Sequence, residues 1–194
     1  IAAKRFVVHQ AVSARFEAAL AAQLEALVVG APTDEATQVG PLARADLRDV
    51  LHAQVEASVA AGARLVTGGR PLPRPGWYYA PTLLADCRPG QAAWDEETFG
   101  PVAALATFAS EDEALRLANG SPLGLGAAVW TRDVARGERL AQQLEAGAVF
   151  VNGMVKSDAA VPFGGVKRSG YGRELGRWGV EEWANVKTVW VDGV

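Results

Sequence analysis

Few side chains in this chain could do chemistry. Cys87 is its one cysteine and stands in the stretch Leu84-Ala85-Asp86-Cys87-Arg88-Pro89. A thiolate there could act as a nucleophile, but activation needs a base or a cationic neighbour. The two histidines, His9 and His52, are far apart in sequence and have no acid–base partner in view. His9 closes an expected strand and His52 lies on an expected helix face, which turns both toward solvent. Cys87 therefore reads as an ordinary buried or half-buried thiol. One cysteine permits no internal disulfide and no cysteine-based metal site, and no His–carboxylate cluster has metal spacing.

Two further stretches stand out. The acidic run Asp95-Glu96-Glu97 leads into Thr98-Phe99-Gly100-Pro101. Read from residue types alone, it is an exposed acidic turn followed by a core phenylalanine. The glycine-rich stretch Phe163-Gly164-Gly165-Val166-Lys167-Arg168-Ser169-Gly170-Tyr171-Gly172 fits neither a phosphate loop nor a dinucleotide fingerprint. Gly170 and Gly172 begin such a pattern, but Leu175 stands where its third glycine belongs, and no buried strand precedes it. No Gly-x-Ser-x-Gly elbow occurs. Lys167, Arg168, Arg173 and Arg177 form a basic, glycine-flanked patch that reads as a hinge and interface loop rather than an anion site. No complete catalytic set is present, and spacing alone names no reaction.

The elements that must position these residues follow from hydrophobic period and capping signals. Residues 4–9 predict a short strand bearing Phe6, Val7 and Val8. Ser13 is a candidate N-cap for a helix in which Phe16, Leu20, Leu24, Leu27 and Val28 recur at helical spacing, ending at Gly30. A second helix is predicted over residues 45–61, with Leu47, Val50, Leu51 and Val55 on one face and Gly62 as its stop. Short strands are expected at residues 64–67 and 102–108, and an extended stretch at 77–84. Ser110 and Glu113 form a capping box for a helix ending near Asn119-Gly120. A strand at 125–130, a helix opened by Asp133 and closed by Gly147, and a strand at 148–151 complete the alternation. That order predicts an α/β fold with a parallel sheet, joining the strands at 102–108, 125–130 and 148–151. Residues 186–191 alternate as Val-Lys-Thr-Val-Trp-Val, a strand with no neighbour in sequence to pair with. A second subunit is a ready partner, and Trp178, Trp183 and Trp190 are expected to pack, some of them in such a contact.

Composition excludes several classes of function. Hydrophobic residues make up 49% of the chain and charged ones 21%, which is ordinary globular usage rather than disorder. With 19 basic against 22 acidic residues, the net charge of −3 offers no basic stripe to nucleic acid. No apolar run approaches a membrane span. The opening Ile1-Ala2-Ala3-Lys4-Arg5-Phe6 has neither an initiator methionine nor a signal-peptide layout, so an interior cut is expected. The single cysteine suits a reducing cytoplasm.

Six ordered segments resemble the aldehyde dehydrogenase superfamily, over essentially the whole chain. They are Ile1-Ala2-Ala3-Lys4-Arg5-Phe6, residues 30–42, Ala80-Pro81-Thr82-Leu83, Glu96-Glu97-Thr98-Phe99-Gly100-Pro101-Val102, residues 119–133, and residues 151–176 with the closing Asn185-Val186-Lys187-Thr188-Val189. The resemblance implies the catalytic domain of that family over residues 1–165, cut at its N-terminus. A connecting helix and an oligomerisation strand would follow over 166–194. It implies a homodimer or homotetramer through residues 186–191, a small aldehyde as substrate, and no nucleic-acid or membrane partner. The family's nucleophilic cysteine would lie just before Ile1, and its general-base glutamate further upstream. No catalytic residue is therefore expected in this chain, which alone should be inactive and bind NAD or NADP weakly or not at all.

The resemblance also assigns individual residues. Glu97 matches the glutamate that accepts hydrogen bonds from the nicotinamide ribose hydroxyls, and Phe99 the aromatic packed near that ribose. Leu125 matches an apolar residue beside the nicotinamide, with a plain core-strand residue as its other reading. Asn152 either ties down a neighbouring active-site loop or merely ends a strand. Phe163 matches a wall of the aldehyde tunnel. Ser157 matches the serine that bonds the distal carboxylate in succinate-semialdehyde dehydrogenases, the subfamily that Met154-Val155-Lys156-Ser157-Asp158 is most similar to. Its other reading is a solvated loop serine. Rival functions are an aldehyde dehydrogenase of different specificity and a non-catalytic module that self-associates through its terminal strand.

Overall fold

A computed structural model describes residues 2–193, which fold as two compact units, Ala2–Gly120 and the residues from Ser121 onward. This is a division of packing and does not bear on the boundary expected near residue 165. The architecture is mixed α/β with parallel strand pairing, as expected.

The first unit contains β1 (Arg5–His9), α1 (Gln10–Glu25), α2 (Ala45–Ala60), β2 (Arg64–Thr67), β3 (Thr82–Ala85), α3 (Ala92–Asp95), β4 (Val102–Phe108) and α4 (Glu111–Asn119). Its four strands are ordered β1-β4-β3-β2. The first three are mutually parallel, and β2 runs antiparallel to β3. β4 reads Val-Ala-Ala-Leu-Ala at its start because both its faces are covered. Val102, Ala104 and Ala106 join Leu84, Leu51, Val55 and Trp94 on one side, the side of α2 and α3. Ala103 and Leu105 join Leu83 and Val8 on the other, where Leu20 and Leu24 of α1 pack. The period-two alternation of β3 and β4 thus divides one sheet between two helical layers.

Local signals were partly misleading. α1 starts at Gln10, not after Ser13. His9 is its N-cap, with Nδ1 accepting from the Ala11 amide at 3.2 Å. Ser13 Oγ instead donates to the Gln10 carbonyl at 3.0 Å. The helix stops at Glu25, so Val28 leaves its apolar row, and Val29 pairs with Val39 in an isolated bridge. In α2, Leu51 and Val55 are buried, but Val50 points outward. The capping box of α4 does form, with the Glu113 amide donating to Ser110 Oγ at 3.3 Å. Its return bond comes from the Ala109 amide, at 2.8 Å from Glu113 Oε2.

The second unit contains β5 (Leu123–Gly124), β6 (Gly126–Val129), α5 (Val134–Ala141), β7 (Ala148–Val151), β8 (Val166–Lys167) and α6 (Gly176–Glu181). Here the expected single sheet is corrected. β6 and β7 pair in parallel with each other, and β5 pairs antiparallel with β8. β4 pairs with neither, because both its edges are already occupied by β1 and β3. The expected strand over 125–130 breaks at Leu125, whose two sides join different ladders. Asp133 caps α5 as expected, with Oδ1 accepting from the Arg136 amide at 2.9 Å, but the helix ends at Ala141 rather than at Gly147. Residues 186–191 belong to no ladder among the described residues. Trp178, Trp183 and Trp190 are exposed rather than packed within the chain. No helix among the described residues is long and apolar enough to cross a membrane.

Leu84 is fully buried between the sheet and α2. Leu84→Ala should therefore lower the unfolding free energy by about 2–5 kcal/mol, measured by urea denaturation followed by tryptophan fluorescence.

Candidate functional site

The acidic turn is fastened to the first unit from several sides. Trp94 of α3 is fully buried, and the Arg5 guanidinium lies 4.8 Å over its ring while donating to its carbonyl. Ser58 Oγ accepts from the Ala93 amide at 2.8 Å and donates to the Gln54 carbonyl at 2.6 Å, coupling α3 to α2. Beyond α3, Gln54 Nε2 donates to Glu96 Oε2 at 2.8 Å and reaches the Glu97 carbonyl at 3.4 Å. Thr98 is buried. The turn then closes through Gly100 N to the Thr98 carbonyl at 3.0 Å and Val102 N to the Gly100 carbonyl at 2.8 Å. Lys4 Nζ donates to that same Gly100 carbonyl at 2.7 Å. Gly100 must lack a side chain here, because a Cβ would stand 2.4 Å from Leu51 Cδ2.

This frame leaves the acidic turn at the surface. Phe99 is 71% exposed and is not a core residue. Glu97 is exposed beside it, with its carboxylate available to an outside donor. An exposed carboxylate next to an open aromatic face suits a vicinal diol attached to a flat ring, since a carboxylate accepts two hydrogen bonds at once. Burial pushes the Lys4 ammonium below its ordinary value, and the Glu97 charge acts in the opposite sense. Arg5 is likewise lowered by burial, with Asp95 opposing.

In the second unit, Leu125 and Phe163 line one cavity of about 770 Å³, together with Arg173, Glu174, Leu175 and Trp183. Leu125 is held at the junction of β5 and β6, where its carbonyl accepts from the Ala148 amide at 3.2 Å. Phe163 exchanges two backbone hydrogen bonds of 2.8 Å with Glu174. The following Gly164 carbonyl lies only 1.7 Å from where a Cβ on Gly147 would sit, so the loop bearing Phe163 seats against β7 only because residue 147 is glycine. Asn152 adopts φ +55°, a region asparagine tolerates, and its Oδ1 accepts from the Thr131 amide at 2.8 Å. It thereby ties the ends of β6 and β7 together. Ser157 is exposed and does not line the cavity. The basic patch is engaged locally: Arg173 donates to the Gly165 and Gly172 carbonyls at 2.8 and 2.7 Å, and Arg177 pairs with Glu181 at 2.5 Å.

The remaining candidates are structural. Cys87 is buried, and its thiol is pushed up to about 11, so it is not a thiolate near neutrality. His52 does not simply face solvent. Its Nδ1 lies 3.0 Å from the hydroxyl of buried Tyr79, whose own value burial pushes up to about 12. No group of three metal-ligating side chains occurs among the described residues. Sequence reading passed over Lys4 and Gln54, which hold the acidic turn. Both are remote from it in sequence, and only strand pairing and helix packing bring them there.

Comparison with known proteins gives the family. The model of the family described as "Aldehyde dehydrogenase family" matches residues 1–189. The chain is 49% identical over 191 residues to a "Succinate-semialdehyde dehydrogenase [NADP(+)] 1" of Mycobacterium ulcerans, covering 98% of this chain and 42% of that protein. It is 47% identical over 193 residues to "Succinate semialdehyde dehydrogenase [NAD(P)+] Sad" of Escherichia coli, covering 100% of this chain and 42% of that one. Among solved structures, betaine aldehyde dehydrogenase from Staphylococcus aureus in complex with NAD+ superposes with a TM-score of 0.88 at 34% identity. That match covers 93% of this chain and 37% of the other. The chain thus spans about two fifths of the length of the relatives it matches.

Buried Cys87 has a pH signature. A thiol raised in the folded state favours folding fully below its unfolded value, and that contribution is lost as the pH climbs through the folded value. Between its ordinary 9.0 and about 11, stability should fall, with a slope from this thiol of about 1.4 kcal/mol per pH unit. Cys87→Ala should remove that slope. Urea denaturation across this range checks it, and a thiol reagent at pH 8 should label Cys87 only once denaturant is added.

Proposed function

The chain belongs to the aldehyde dehydrogenase family, and on that premise we propose that it is the C-terminal part of an NAD(P)-dependent enzyme oxidising succinate semialdehyde to succinate. The observation that carries this reading is the rigid turn that offers the Glu97 carboxylate and the open Phe99 ring together. It occurs in a chain similar over nearly its whole length to succinate-semialdehyde dehydrogenases. Glu97 accepts the ribose hydroxyls of the dinucleotide, Phe99 packs beside that sugar, and Leu125 borders the nicotinamide. The dinucleotide, when bound, supplies the hydride acceptor. Phe163 walls the aldehyde tunnel, and Ser157 donates to the distal carboxylate of the substrate.

The nucleophile is a cysteine placed just ahead of Ile1, and the general base is a glutamate upstream of it. These carry the thiohemiacetal and thioester chemistry. Cys87 is no substitute, being buried and protonated. The chain alone therefore turns over no aldehyde and binds dinucleotide weakly or not at all. Residues 186–191 pair with a second subunit, giving a homodimer or homotetramer. The unpaired backbone there and the exposed Trp178, Trp183 and Trp190 support this. A lone buried cysteine suits a reducing cytoplasm.

One observation favours a second reading, oxidation of another small acidic aldehyde. Ser157 is exposed and stands apart from the cavity lined by Leu125 and Phe163. Ser157→Ala in the full-length enzyme separates the two. A rise of about tenfold in KM for succinate semialdehyde, with kcat little changed, is expected from losing a hydrogen bond to a charged group. An unchanged KM selects the second reading. Incubated by itself with NAD(P)+ and succinate semialdehyde, the 194-residue chain should produce no reduced dinucleotide. Measurable turnover would place catalytic groups within it.

A further inference from the structure

Phe163 stands at the head of the glycine-rich stretch, and glycine backbone is the least restrained a chain can have. After Phe163, Gly164 and Gly165 lead into β8. On the facing segment Gly170 and Gly172 adopt φ of +109° and +83°. Two backbone bonds of 2.8 Å tie Phe163 to Glu174. Beyond that bridge the pairing stops: among the described residues, no backbone amide donates to the carbonyl of Gly165 or of Gly172. One side chain takes up both. Arg173 Nη1 donates to the Gly165 carbonyl at 2.8 Å and to the Gly172 carbonyl at 2.7 Å. Its stem lies close against the loop, since a Cβ on Gly164 would stand 3.1 Å from Arg173 Cδ.

Two other cations of the basic patch are engaged elsewhere. Lys167 donates to the Ser121 carbonyl at 3.0 Å, and Arg177 pairs with Glu181 on α6. Arg173 is partly buried and lines the same cavity as Phe163 and Leu125. We propose that Arg173 is a positioning residue, whose guanidinium clamps the two glycine segments together and so holds the Phe163 ring at the wall of the aldehyde site. This rests on the reading that Phe163 walls that site. Without the clamp the backbone after Phe163 gains freedom, the ring no longer has one place, and the cost of ordering it again falls on aldehyde binding. Dinucleotide binding through Glu97 and Phe99, which belong to the first unit, is spared.

The test compares Arg173→Met, Phe163→Ala and the double variant in the full-length enzyme. It reads KM and kcat for succinate semialdehyde and for butanal, dinucleotide affinity by fluorescence titration, and thermal unfolding. Arg173→Met should raise both aldehyde KM values about five- to tenfold, with kcat and dinucleotide affinity close to those of the parent. The double variant should show no higher KM than Phe163→Ala alone, because the arginine acts through that ring. One nitrogen, Nη1, makes both bonds, so Arg173→Lys, whose ammonium offers several donors, should recover most of the loss. If Phe163→Ala raises KM but Arg173→Met does not, or if the two effects multiply, the inference fails while the role of Phe163 stands. It fails too if only the semialdehyde KM rises, since the guanidinium would then hold the distal carboxylate directly. A fall in dinucleotide affinity and Tm together with the rise in KM also overturns it, since the loss would then be one of folding. If Phe163→Ala leaves KM unchanged, both readings fall. Should Arg173→Met not fold, Arg173→Gln is read by the same criteria, since it keeps a neutral donor but not the guanidinium.

Discussion

Five residues of β1 lie in parallel register beside β4, from Arg5 opposite Ala104 to His9 opposite Phe108. That pairing spans most of the first unit's sequence, and the arrangement of the acidic turn depends on it. β4 follows the turn directly, so a strand laid along β4 must deliver the residues ahead of it to the turn itself. Lys4 reaches the Gly100 carbonyl, and Arg5 reaches over Trp94, because the register allows nothing else. A slip by one residue would exchange Val8 and Val7 between the two layers, bringing Arg5 and His9 against one core and crowding Phe6 and Val8 into the other. The burial of those layers therefore secures the register, and through it the presentation of Glu97.

The two units are built to different standards. The fully buried apolar side chains all belong to the first, between Val8 and Ala106. The second has none among its described residues. Its elements are short, its order comes from backbone contacts and glycine fits, and its large apolar side chains, such as Trp130, Trp183 and Trp190, are exposed. Local stability follows buried contact, so the first unit is the resistant part and the second the more readily opened. The chain spans about two fifths of the length of its relatives, and residues 186–191 join no ladder among the described residues.

Most buried polar side chains of the first unit are hydrogen-bonded, with Thr37 Oγ1 and Trp94 Nε1 as exceptions among the described residues. Ser58 and Gln91, almost without exposure, each make two hydrogen bonds that lock α3. Thr82 does the same for the Gly69 amide and the Ala80 carbonyl. Cys87 and Tyr79 are kept in their neutral forms by burial. Glu97 and Phe99 stand exposed on this support.

Much of this was legible in residue order. Hydrophobic period located β1, α2, β2, β4 and β7 almost to the residue, because each buries a stripe or face whose repeat is local. Ordered motifs pointed to the family and to Glu97, Phe99, Leu125 and Phe163 as residues to watch, which the structure places in pairs, on one turn and on one cavity. Strand partnership was not legible. Whether β4 sits beside β1 or β6 depends on which edge is already filled, a competition between distant segments that no local period records. Nor could the sequence show that His9 rather than Ser13 caps α1, that His52 bonds Tyr79, or that Lys4 and Gln54 hold the acidic turn. Side-chain period is set by the backbone's own geometry and survives in a string of letters. Pairing, capping and charge placement are set by what the folded chain brings within a few ångströms, and they exist only in three dimensions.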